Sequence, residues 1–574
     1  MENLGRGVVA TRSSESEVFI SWRLLGLDPD SIKFNLYRAA GHSDPELITK
    51  NALTAGTNFV DKTANLSVDN TYTVVPVLNN KERDASKGYT LVADSAQEPV
   101  IRFPIRDTGE IKWVWVGDLD GDGEYDYILD RQTSPQRVEA YLSNGTFLWD
   151  LKLGPGSENQ NNISPGPATI NVGHWDGLTV YDFDSDGKAE VAVRIADGVT
   201  FGDGKKFSAS SDTEQYIAIL DGMTGALRAK AKVPQDYVEA GPLPARFGVG
   251  YLDGVTPHLV TYMKNRNTDK SFNLVYAAWT FDGKNIKMKW KWLRGENAPD
   301  AEDGHNTLIV DVNGDGKDEL GEIGFLLNGD GTLRYNLKKQ GIVHGDRWYI
   351  TKMDPTRANL QGYGIQQNNE LLIEEYYYDA STGEILWMHN GTEVRDIGRG
   401  MVADIDPDHP GMEIWTFKGL YNAPSNKLTQ ESEDLTPYPQ TGVYWDGDEL
   451  RELYNSGVVQ KWDPKNPTDT KSVPRIMKIQ TYGGVNSNRR DAAFVADILG
   501  DWREEMIAPN ADYTELLIFT TNIPSDIRLY TLPHNPAYRN GMTLKGYVQA
   551  INPDYFIGYG MKAPPKPNIK YVGA

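Results

Sequence analysis

Short apolar strands that run directly into acidic turns recur along most of this chain. Seven such segments are visible from about residue 105 onward: "WVWVGD", "LTVYDFD", "GVGYLDG", "TLIVDVN", "YITKMDP", "GMVADID" and "AFVADIL". Most units also carry an Asn-Gly, Asp-Gly or Thr-Gly turn between alternating apolar residues, as in "SNGTFLW", "YDASTGEILW" and "YWDGDELREL", which indicates paired antiparallel strands. Repeated units of this kind close into a propeller, whose radial symmetry protects the sheet edges. We therefore predict an all-β fold with an eight-bladed β-propeller over residues 96–574, whose eighth blade combines "YTLPHNPAYRN", "YVQAINPDYF" and a strand near the start of the domain.

The first 95 residues follow a different pattern. Short alternating segments are separated by turn residues, as in "EVFISWRLLG", "IKFNLYRA", "TNFVDKTA" and "TYTVVPVLNN". Trp22 and Tyr72 are positioned as core aromatics of a small β-sandwich. The pattern predicts a fibronectin type III-like β-sandwich over residues 1–95 that packs beside the propeller.

The acidic turns are candidate metal sites. In "DLDGDGEYD", alternate carboxylates on a glycine-turned loop can all point at one hard cation, which relieves their mutual repulsion. The flanks are strands and the last acid comes too early for an EF-hand, so we predict calcium loops between strands. For either of the two looser copies taken alone, which begin at Asp404 and Asp497, an acidic turn without metal is favoured. The predicted ligands are Asp118, Asp120, Asp122, Asp126, Asp182, Asp184, Asp186, Glu190, Asp311, Asn313, Asp315, Glu319, Asp404, Asp406, Asp408, Glu413, Asp497, Asp501 and Glu505.

Composition narrows the class of protein. The net charge of -22 argues against a broad nucleic-acid surface, although bound calcium would offset part of it. The chain has no cysteine, which excludes a disulfide scaffold, and no apolar run long enough to span a membrane. Calcium sites favour a secreted, periplasmic or cell-surface location, with any export signal already removed, and we expect a monomer.

A basic residue stands just before each of the seven strands. These residues are Lys112, His174, Arg246, His305, His344, Arg399 and Arg489. If the innermost strand of each blade ends in the acidic loop, its beginning lies at the opposite face, so these side chains crowd one mouth of the channel. We predict a cationic funnel that attracts an acidic substrate. For Lys112 and Arg246 a structural role is favoured.

Longer segments show a resemblance to a known family. In order, "VYDFDSDGKAEVAVRIADG", "HNTLIVDVNGDGKDE", "HGDRWYITKMDPTR", "DIGRGMVADIDPDHPGMEIW", "ADILGDWREE" and "LYTLPHNPAYRNGM" resemble the rhamnogalacturonan lyases of polysaccharide lyase family eleven. The resemblance covers nearly the whole chain. It implies a calcium-binding propeller that cleaves rhamnogalacturonan I, the pectin backbone of rhamnose and galacturonate, by β-elimination.

The resemblance also implies site residues. In the family an Asn-Gly-Thr-Lys segment before "ADxLGDW" and a tyrosine near the C-terminus line the reacting sugar. Here the corresponding stretch is "NSNRR", so Arg489 stands where the lysine would, and arginine is a carboxylate clamp rather than a base. The candidate catalytic residues are Arg489, Tyr538, Tyr547, Arg399 and His174. The candidate substrate contacts are Asn486, Asn488, His305, His344 and Asn171.

Two other functions fit parts of the sequence. A calcium-dependent adhesion or glycan-binding propeller without catalysis would explain the acidic loops and the sandwich, but not the basic residues. A glycoside hydrolase would need two carboxylates across a sugar, for which Asp346 and Asp396 are the candidates.

Overall fold

A computed structural model describes residues 1–106, 109–158, 177–432, 435–465, 473–487, 491–546 and 550–572 of the chain. The fold is all-β, as the alternating patterns predict. Among these residues, no helix combines the length and the apolar character needed to cross a membrane.

The N-terminal region contains two antiparallel sheets that pack face to face. Its strands are β1 (Val9–Arg12), β2 (Val18–Ser21), β3 (Lys33–Ala40), β4 (Glu46–Leu47), β5 (Asn58–Asp61), β6 (Asn70–Leu78), β7 (Lys81–Glu82) and β8 (Tyr89–Leu91). One sheet has the order β1-β2-β5 and the other β4-β3-β6-β7, with β8 also paired to β6. Trp22 and Tyr72 lie fully buried in the core between them, as predicted.

The rest of the described chain forms eight four-stranded antiparallel sheets. The strands follow in chain order after β9 (Val100–Pro104), and each sheet is numbered by its first strand. Sheet 1 contains β10 (Ile111–Gly117), β11 (Asp126–Arg131), β12 (Arg137–Tyr141) and β13 (Phe147–Lys152). Sheet 2 contains β14 (Leu178–Tyr181), β15 (Glu190–Ile195), β16 (Tyr216–Leu220) and β17 (Leu227–Lys232). Sheet 3 contains β18 (Ala245–Gly250), β19 (His258–Arg266), β20 (Phe272–Phe281) and β21 (Ile286–Leu293).

The short helix α1 (Arg294–Asn297) leads into the next three sheets. Sheet 4 contains β22 (Leu308–Val310), β23 (Glu319–Glu322), β24 (Phe325–Leu327) and β25 (Leu333–Asn336). Sheet 5 contains β26 (Trp348–Thr351), β27 (Gln361–Ile365), β28 (Ile373–Asp379) and β29 (Ile385–Asn390). Sheet 6 contains β30 (Met401–Ala403), β31 (Glu413–Trp415), β32 (Leu420–Asn422) and β33 (Lys427–Gln430).

The last two sheets complete the set. Sheet 7 contains β34 (Thr441–Val443), β35 (Glu452–Asn455), β36 (Val458–Gln460) and β37 (Arg475–Lys478). Sheet 8 contains β38 (Phe494–Ala496), β39 (Glu505–Pro509), β40 (Glu515–Phe519) and, as its outer strand, β9 from the start of the region. Sheet 7 is not among the predicted units, because "YWDGDELREL" predicts only a hairpin inside the preceding unit.

The first strand of each sheet lies toward the centre. Every residue of β10 and β18 is buried, whereas the fourth strands β13 and β21 are partly exposed. The first strands of sheets 1 to 5 contact one another in succession, and β10 also contacts β38. This arrangement is consistent with the blades of a propeller.

The C-terminal segment fills the centre. Helix α2 (Pro536–Thr543) follows a short 3-10 turn at Leu532–His534 and contacts β10, β14, β18 and β22. The strand predicted from "YTLPHNPAYRN" is therefore wrong. Asn535 caps the helix by accepting a hydrogen bond from the backbone N–H of Tyr538, and Pro536 stands at its first turn, where no N–H is needed. The predicted strand near the domain's beginning does complete the eighth sheet, as β9.

Candidate functional site

Two histidines and one aspartate come together where the chain enters sheets 4 and 5. His305 lies just before β22, and His344 and Asp346 lie just before β26. The two Nε2 atoms are 3.3 Å apart, and His305 Nε2 lies 3.2 Å from Oδ1 of Asp346. The imidazole rings meet edge to face with centroids 4.9 Å apart. The structure thus joins two residues that the sequence named as substrate contacts, and adds Asp346 to them.

Glycines allow the two loops to approach this closely. Gly304 and Gly345 form a parallel bridge between the loops, and the N–H of Gly304 donates to Oε2 of Glu322 at 3.0 Å. A Cβ atom on Gly345 would lie only 1.8 Å from the carbonyl oxygen of Ile365. Any other residue at position 345 would push the cluster apart.

The electrostatic environment keeps His305 neutral. Burial lowers the pKa of His305 to about 4, although its hydrogen bond with Asp346 works in the opposite direction. Burial also works to raise the pKa of Asp346, but the hydrogen bond with His305 and the charges nearby lower it below its ordinary value. At neutral pH the cluster therefore offers an imidazole nitrogen, a second histidine and a carboxylate. Such a set can bind a divalent cation or accept a proton.

A buried ion-pair network supports the segment that carries His305. Asp303 forms ion pairs with Lys264 and Arg294, and the Arg294 contact is 3.1 Å. Burial alone would raise the pKa of Asp303, but these two cations lower it to about 2. The carboxylate is thus held ionised two positions before His305, which fixes the backbone there.

A second buried network faces the segment that carries Asn486. Asp491 is fully buried and accepts a hydrogen bond from the hydroxyl of Thr441 at 2.6 Å, while its carbonyl accepts the N–H of Ser487. Burial raises the pKa of Asp491, and the positive charges of Arg347 and Arg399 oppose this. Two arginines from sheets 5 and 6 thus face the loop that precedes sheet 8.

Some of the remaining predicted site residues lie within the described part of the chain and others lie outside it. Asn486 is half-buried and accepts a hydrogen bond from the hydroxyl of Tyr454 at 2.7 Å. Arg399 is half-buried just before β30. Asp396, a candidate for hydrolysis, is exposed and accepts a hydrogen bond from Gln367. The candidates outside the described residues are Asn171, His174, Asn488, Arg489 and Tyr547.

Tyr538 lies inside helix α2 and is fully buried. Its hydroxyl donates to Oε1 of Glu504 at 2.7 Å and accepts the backbone N–H of Asp497 at 2.9 Å. Arg451 also reaches both oxygens of Glu504, at 3.1 and 3.2 Å. The hydroxyl thus donates one hydrogen bond and accepts another inside the core, which favours a structural role over the catalytic one predicted from the sequence.

A buried lysine that the sequence analysis did not select lies just beyond α2. The ammonium of Lys545 stands 3.6 Å from the ring centre of Phe494 and 5.5 Å from that of Trp115. It has no hydrogen-bond partner among the described residues. Burial, with a smaller contribution from Arg539, lowers the pKa of Lys545 well below its ordinary value. Nothing in the sequence around Lys545 indicated that it would be buried.

Six acidic loops share one backbone design at the other ends of the first strands. In each, the acid that closes the loop accepts the N–H of the second residue after the first strand, at 2.8 to 3.1 Å. The closing acids are Asp126, Glu190, Glu319, Glu413, Glu452 and Glu505. Five of these loops were predicted. The sixth, with Asp446, Asp448 and Glu452, was missed with sheet 7.

The predicted loops fit a cation on three observations. Carboxylate oxygens from three residues gather within 4.8 Å in two of the predicted loops: Asp118, Asp120 and Asp122, and Asp182, Asp184 and Glu190. Burial raises the pKa of Asp126 to about 8 and that of Glu190 to about 9, because their negative charges lie out of water beside other acids. In addition, the Oδ1 atoms of Asp184, Asp404 and Asp497 are buried without a hydrogen-bond partner among the described residues. A bound cation would satisfy these oxygens.

Basic side chains contact the other predicted loops. Asp406 lies 2.9 Å from Nδ1 of His409, and Arg334 lies 3.2 Å from Glu319. Arg503 forms a two-pronged ion pair with Asp501, at 2.9 and 2.7 Å. Asp501 is therefore committed to an arginine in this structure rather than gathered with Asp497 and Glu505.

Comparisons with known proteins agree across the whole chain. The family model described as rhamnogalacturonan lyase family 11, C-terminal domain, matches residues 108–567, and the one described as rhamnogalacturonan I lyases beta-sheet domain matches residues 1–91. The chain is 34% identical to rhamnogalacturonan endolyase YesW of Bacillus subtilis, covering 99% of this chain and 93% of that protein. It is 32% identical to rhamnogalacturonan exolyase YesX of the same organism, covering 100% and 98%. The crystal structure of YesW superposes with a TM-score of 0.87 at 31% identity, covering 100% of this chain and 99% of that one.

Proposed function

We propose that this chain, which belongs to rhamnogalacturonan lyase family 11, is a polysaccharide lyase that cleaves the rhamnogalacturonan I backbone of pectin by β-elimination. Cleavage at galacturonate would leave unsaturated uronate ends. The observation that carries the proposal is the cluster of His305, His344 and Asp346, which lies where the first strands begin, at the ends that the predicted basic residues precede. The full-length relatives of this chain bear the names of lyases for this polymer.

The chemistry asks for two functions from the protein. The C5–H bond of galacturonate breaks and its electron pair forms the C4=C5 double bond, while the C4–O bond breaks and the departing oxygen takes up a proton. The C5 proton is acidic only when the neighbouring carboxylate is neutralised. Arginine side chains such as Arg399 and the predicted Arg489 suit that carboxylate, and an imidazole of the cluster, that of His305 or His344, suits the proton.

Calcium is the cation that the acidic loops suit, since their donors are carboxylate and backbone oxygens. The loops that would hold it are those beginning at Asp118 and Asp182, whose carboxylates gather, and the one beginning at Asp311, with looser candidates at Asp404 and Asp497. Calcium bound there fixes the turns at the ends of the first strands, and bound near substrate it would supply positive charge to the galacturonate carboxylate. His305, His344 and Asp346 are a separate donor set for a divalent cation.

We further propose that the eight sheets are the blades of an eight-bladed propeller and that the N-terminal sheets form a fibronectin type III-like sandwich. Support comes from eight four-stranded sheets among the described residues and from a closing sheet that joins β40 to β9. We also propose two domains, residues 1–95 and 96–574, and support for this division comes from the two family models, which match residues 1–91 and 108–567. Action outside the cytosol remains our proposal, supported by the acidic loops that suit calcium. A monomer also remains a proposal.

One assay tests the reaction. Rhamnogalacturonan I is incubated with the protein, and the ultraviolet absorbance of the unsaturated uronate is followed, with homogalacturonan as the control polymer. We expect absorbance to rise with rhamnogalacturonan I only. Binding without any rise would favour a glycan-binding propeller, and release of sugar ends without absorbance would favour a hydrolase using Asp346 and Asp396. Either result would overturn the proposal.

A further inference from the structure

The acidic loop of sheet 7 lacks the first carboxylate of the other five loops. In those loops an aspartate directly follows the first strand: Asp118, Asp182, Asp311, Asp404 or Asp497. The residue at this position in sheet 7 is Tyr444, which follows Val443. Its ring packs against the guanidinium of Arg451, 4.6 Å from the ring centre. The loop therefore has fewer oxygen ligands to offer a metal ion.

The same loop contains a cation of its own. The ammonium of Lys461, which follows β36, lies 2.5 Å from Asp446, 2.6 Å from Asp448 and 3.2 Å from Glu452. These are the three acids whose oxygens gather in this loop. An ammonium has three N–H donors, so each of its protons can serve one carboxylate.

The backbone of this loop is otherwise that of its counterparts. Glu452 accepts the N–H groups of Trp445 and Asp446 at 2.9 and 3.0 Å, as Glu505 accepts those of Ile498 and Leu499 at 2.9 and 3.0 Å. The difference lies in the side chains and not in the turn. Compared with the other five loops, this loop lacks an aspartate and contains a lysine. Both differences disfavour a bound metal ion.

Basic residues near the other loops reach fewer carboxylates. Arg228 contacts Asp184 and Glu190 at the edge of the sheet 2 loop, at 2.8 and 2.5 Å. Lys87 contacts only Asp122 of the sheet 1 loop and is 57% exposed. Within the described part of the chain, Lys461 stands out because its ammonium contacts every acid of the gathered set.

We propose that Lys461 is the resident cation of the sheet 7 loop, so that this loop closes without a metal ion, and that removal of its ammonium opens a divalent-cation site on Asp446, Asp448 and Glu452. This inference goes beyond the proposed function. In the sheet 7 loop a lysine ammonium balances the carboxylates, whereas the four-carboxylate loops beginning at Asp118 and Asp182 depend on a bound ion.

The test uses Lys461→Met, which keeps the length of the side chain and removes its charge. Calcium titration by calorimetry should give one more bound ion per chain than the wild type, with a weak dissociation constant of about 10⁻⁴ to 10⁻³ M because only three carboxylates contribute. In chelator the variant should unfold at a lower temperature than the wild type, and added calcium should restore most of the difference. Lys62→Met is the matched control, since the ammonium of Lys62 pairs at 3.2 Å with Glu17 in the N-terminal region, away from the acidic loops, and its removal should add no ion.

Two results would overturn the inference. The first is a folded Lys461→Met protein that binds the same number of calcium ions as the wild type. The second comes from Asp448→Asn in the wild-type background, which remains informative if the lysine variant fails to fold. That substitution should leave the number of bound ions unchanged, and loss of an ion would show that calcium already occupies this loop.

Discussion

Replacement of Tyr538 by phenylalanine distinguishes a structural from a catalytic role for this residue. The substitution removes only the hydroxyl, which donates to Glu504 and accepts the N–H of Asp497 in the core. Loss of a hydrogen bond to a charged group costs about 1.5 to 3 kcal/mol, and an orphaned buried N–H costs about 1 to 3 kcal/mol. Because Glu504 retains Arg451 and the two losses overlap, we expect the free energy of unfolding to fall by about 2 to 4 kcal/mol.

The corresponding change in melting temperature is small because the protein is large. With an unfolding entropy of about 2.1 cal/mol/K per residue, unfolding of 574 residues as one unit involves about 1.2 kcal/mol/K. The expected decrease in Tm is therefore about 2 to 3 °C, and larger if a smaller part unfolds independently. Calorimetry and urea midpoints measure it. Initial rates on rhamnogalacturonan I, measured well below the transition, should stay within about twofold of wild type.

Tyr377 provides the control for this experiment. Its ring is also buried, but its hydroxyl has no hydrogen-bond partner among the described residues. Tyr377→Phe should therefore leave the free energy of unfolding within about 0.5 kcal/mol of wild type. A hundredfold loss of rate in Tyr538→Phe with an unchanged Tm would refute the structural role and restore Tyr538 as a catalytic candidate.

Three further predictions follow from buried or clustered charges. His344→Ala should lower kcat/KM on rhamnogalacturonan I at least about 100-fold while leaving Tm nearly unchanged, and near-normal turnover would remove the histidine cluster from the active site. Lys545→Met should raise the free energy of unfolding and Lys264→Met should lower it, since the first lysine has no hydrogen-bond partner within the described part of the chain and the second is paired with Asp303. Because the folded-state pKa of Lys545 is lowered, the unfolded wild-type chain binds a proton below about pH 10 that the folded chain lacks. The stability advantage of Lys545→Met over the wild type should therefore shrink as pH rises toward that value. A stability difference independent of pH would contradict this. Removal of calcium with a chelator should lower Tm reversibly, with each site contributing about 2.7 kcal/mol when calcium is at 100 times its dissociation constant, and an unchanged Tm would count against the calcium loops.

Much of the fold could be predicted because each first strand ends in a chemically distinctive loop. The acids of these loops are separated by two to five positions in sequence, so the pattern is visible in the printed chain. Sheet 7 escaped because β34 has only three residues and is followed by Tyr444 in place of an aspartate. The spacing of Asp446, Asp448 and Glu452 was the available signal.

Helix α2 was misassigned although its beginning was readable. Asn535 and Pro536 are the residues expected at the N-cap and first turn of a helix. Tyr530, which precedes the helix, and Tyr538, which lies within it, gave the segment the aromatic content of a strand. Its burial at the centre could not be read from the sequence, because the four strands that surround it lie between 226 and 425 positions upstream of Pro536.

The candidate site was only partly predictable for a similar reason. His305 and His344 were selected as basic residues before strands, but they are 39 positions apart and nothing in either segment indicates contact. Lys545 and Asp491 were not selected, because burial rather than residue type makes them unusual. Pair distances and burial are properties of the assembled sheets and not of local sequence.

Sheet 8 joins strands from the two ends of the C-terminal region, since β9 pairs with β40 over Val100–Pro104 and Glu515–Phe519. During synthesis on the ribosome, β9 emerges long before its partner exists. Through that interval it is an open strand edge, the kind of surface on which chains pair with one another and aggregate. Yield in a recombinant host should therefore depend on how quickly translation reaches residue 519, and slow codons just upstream of β40 should reduce soluble protein more than slow codons after it.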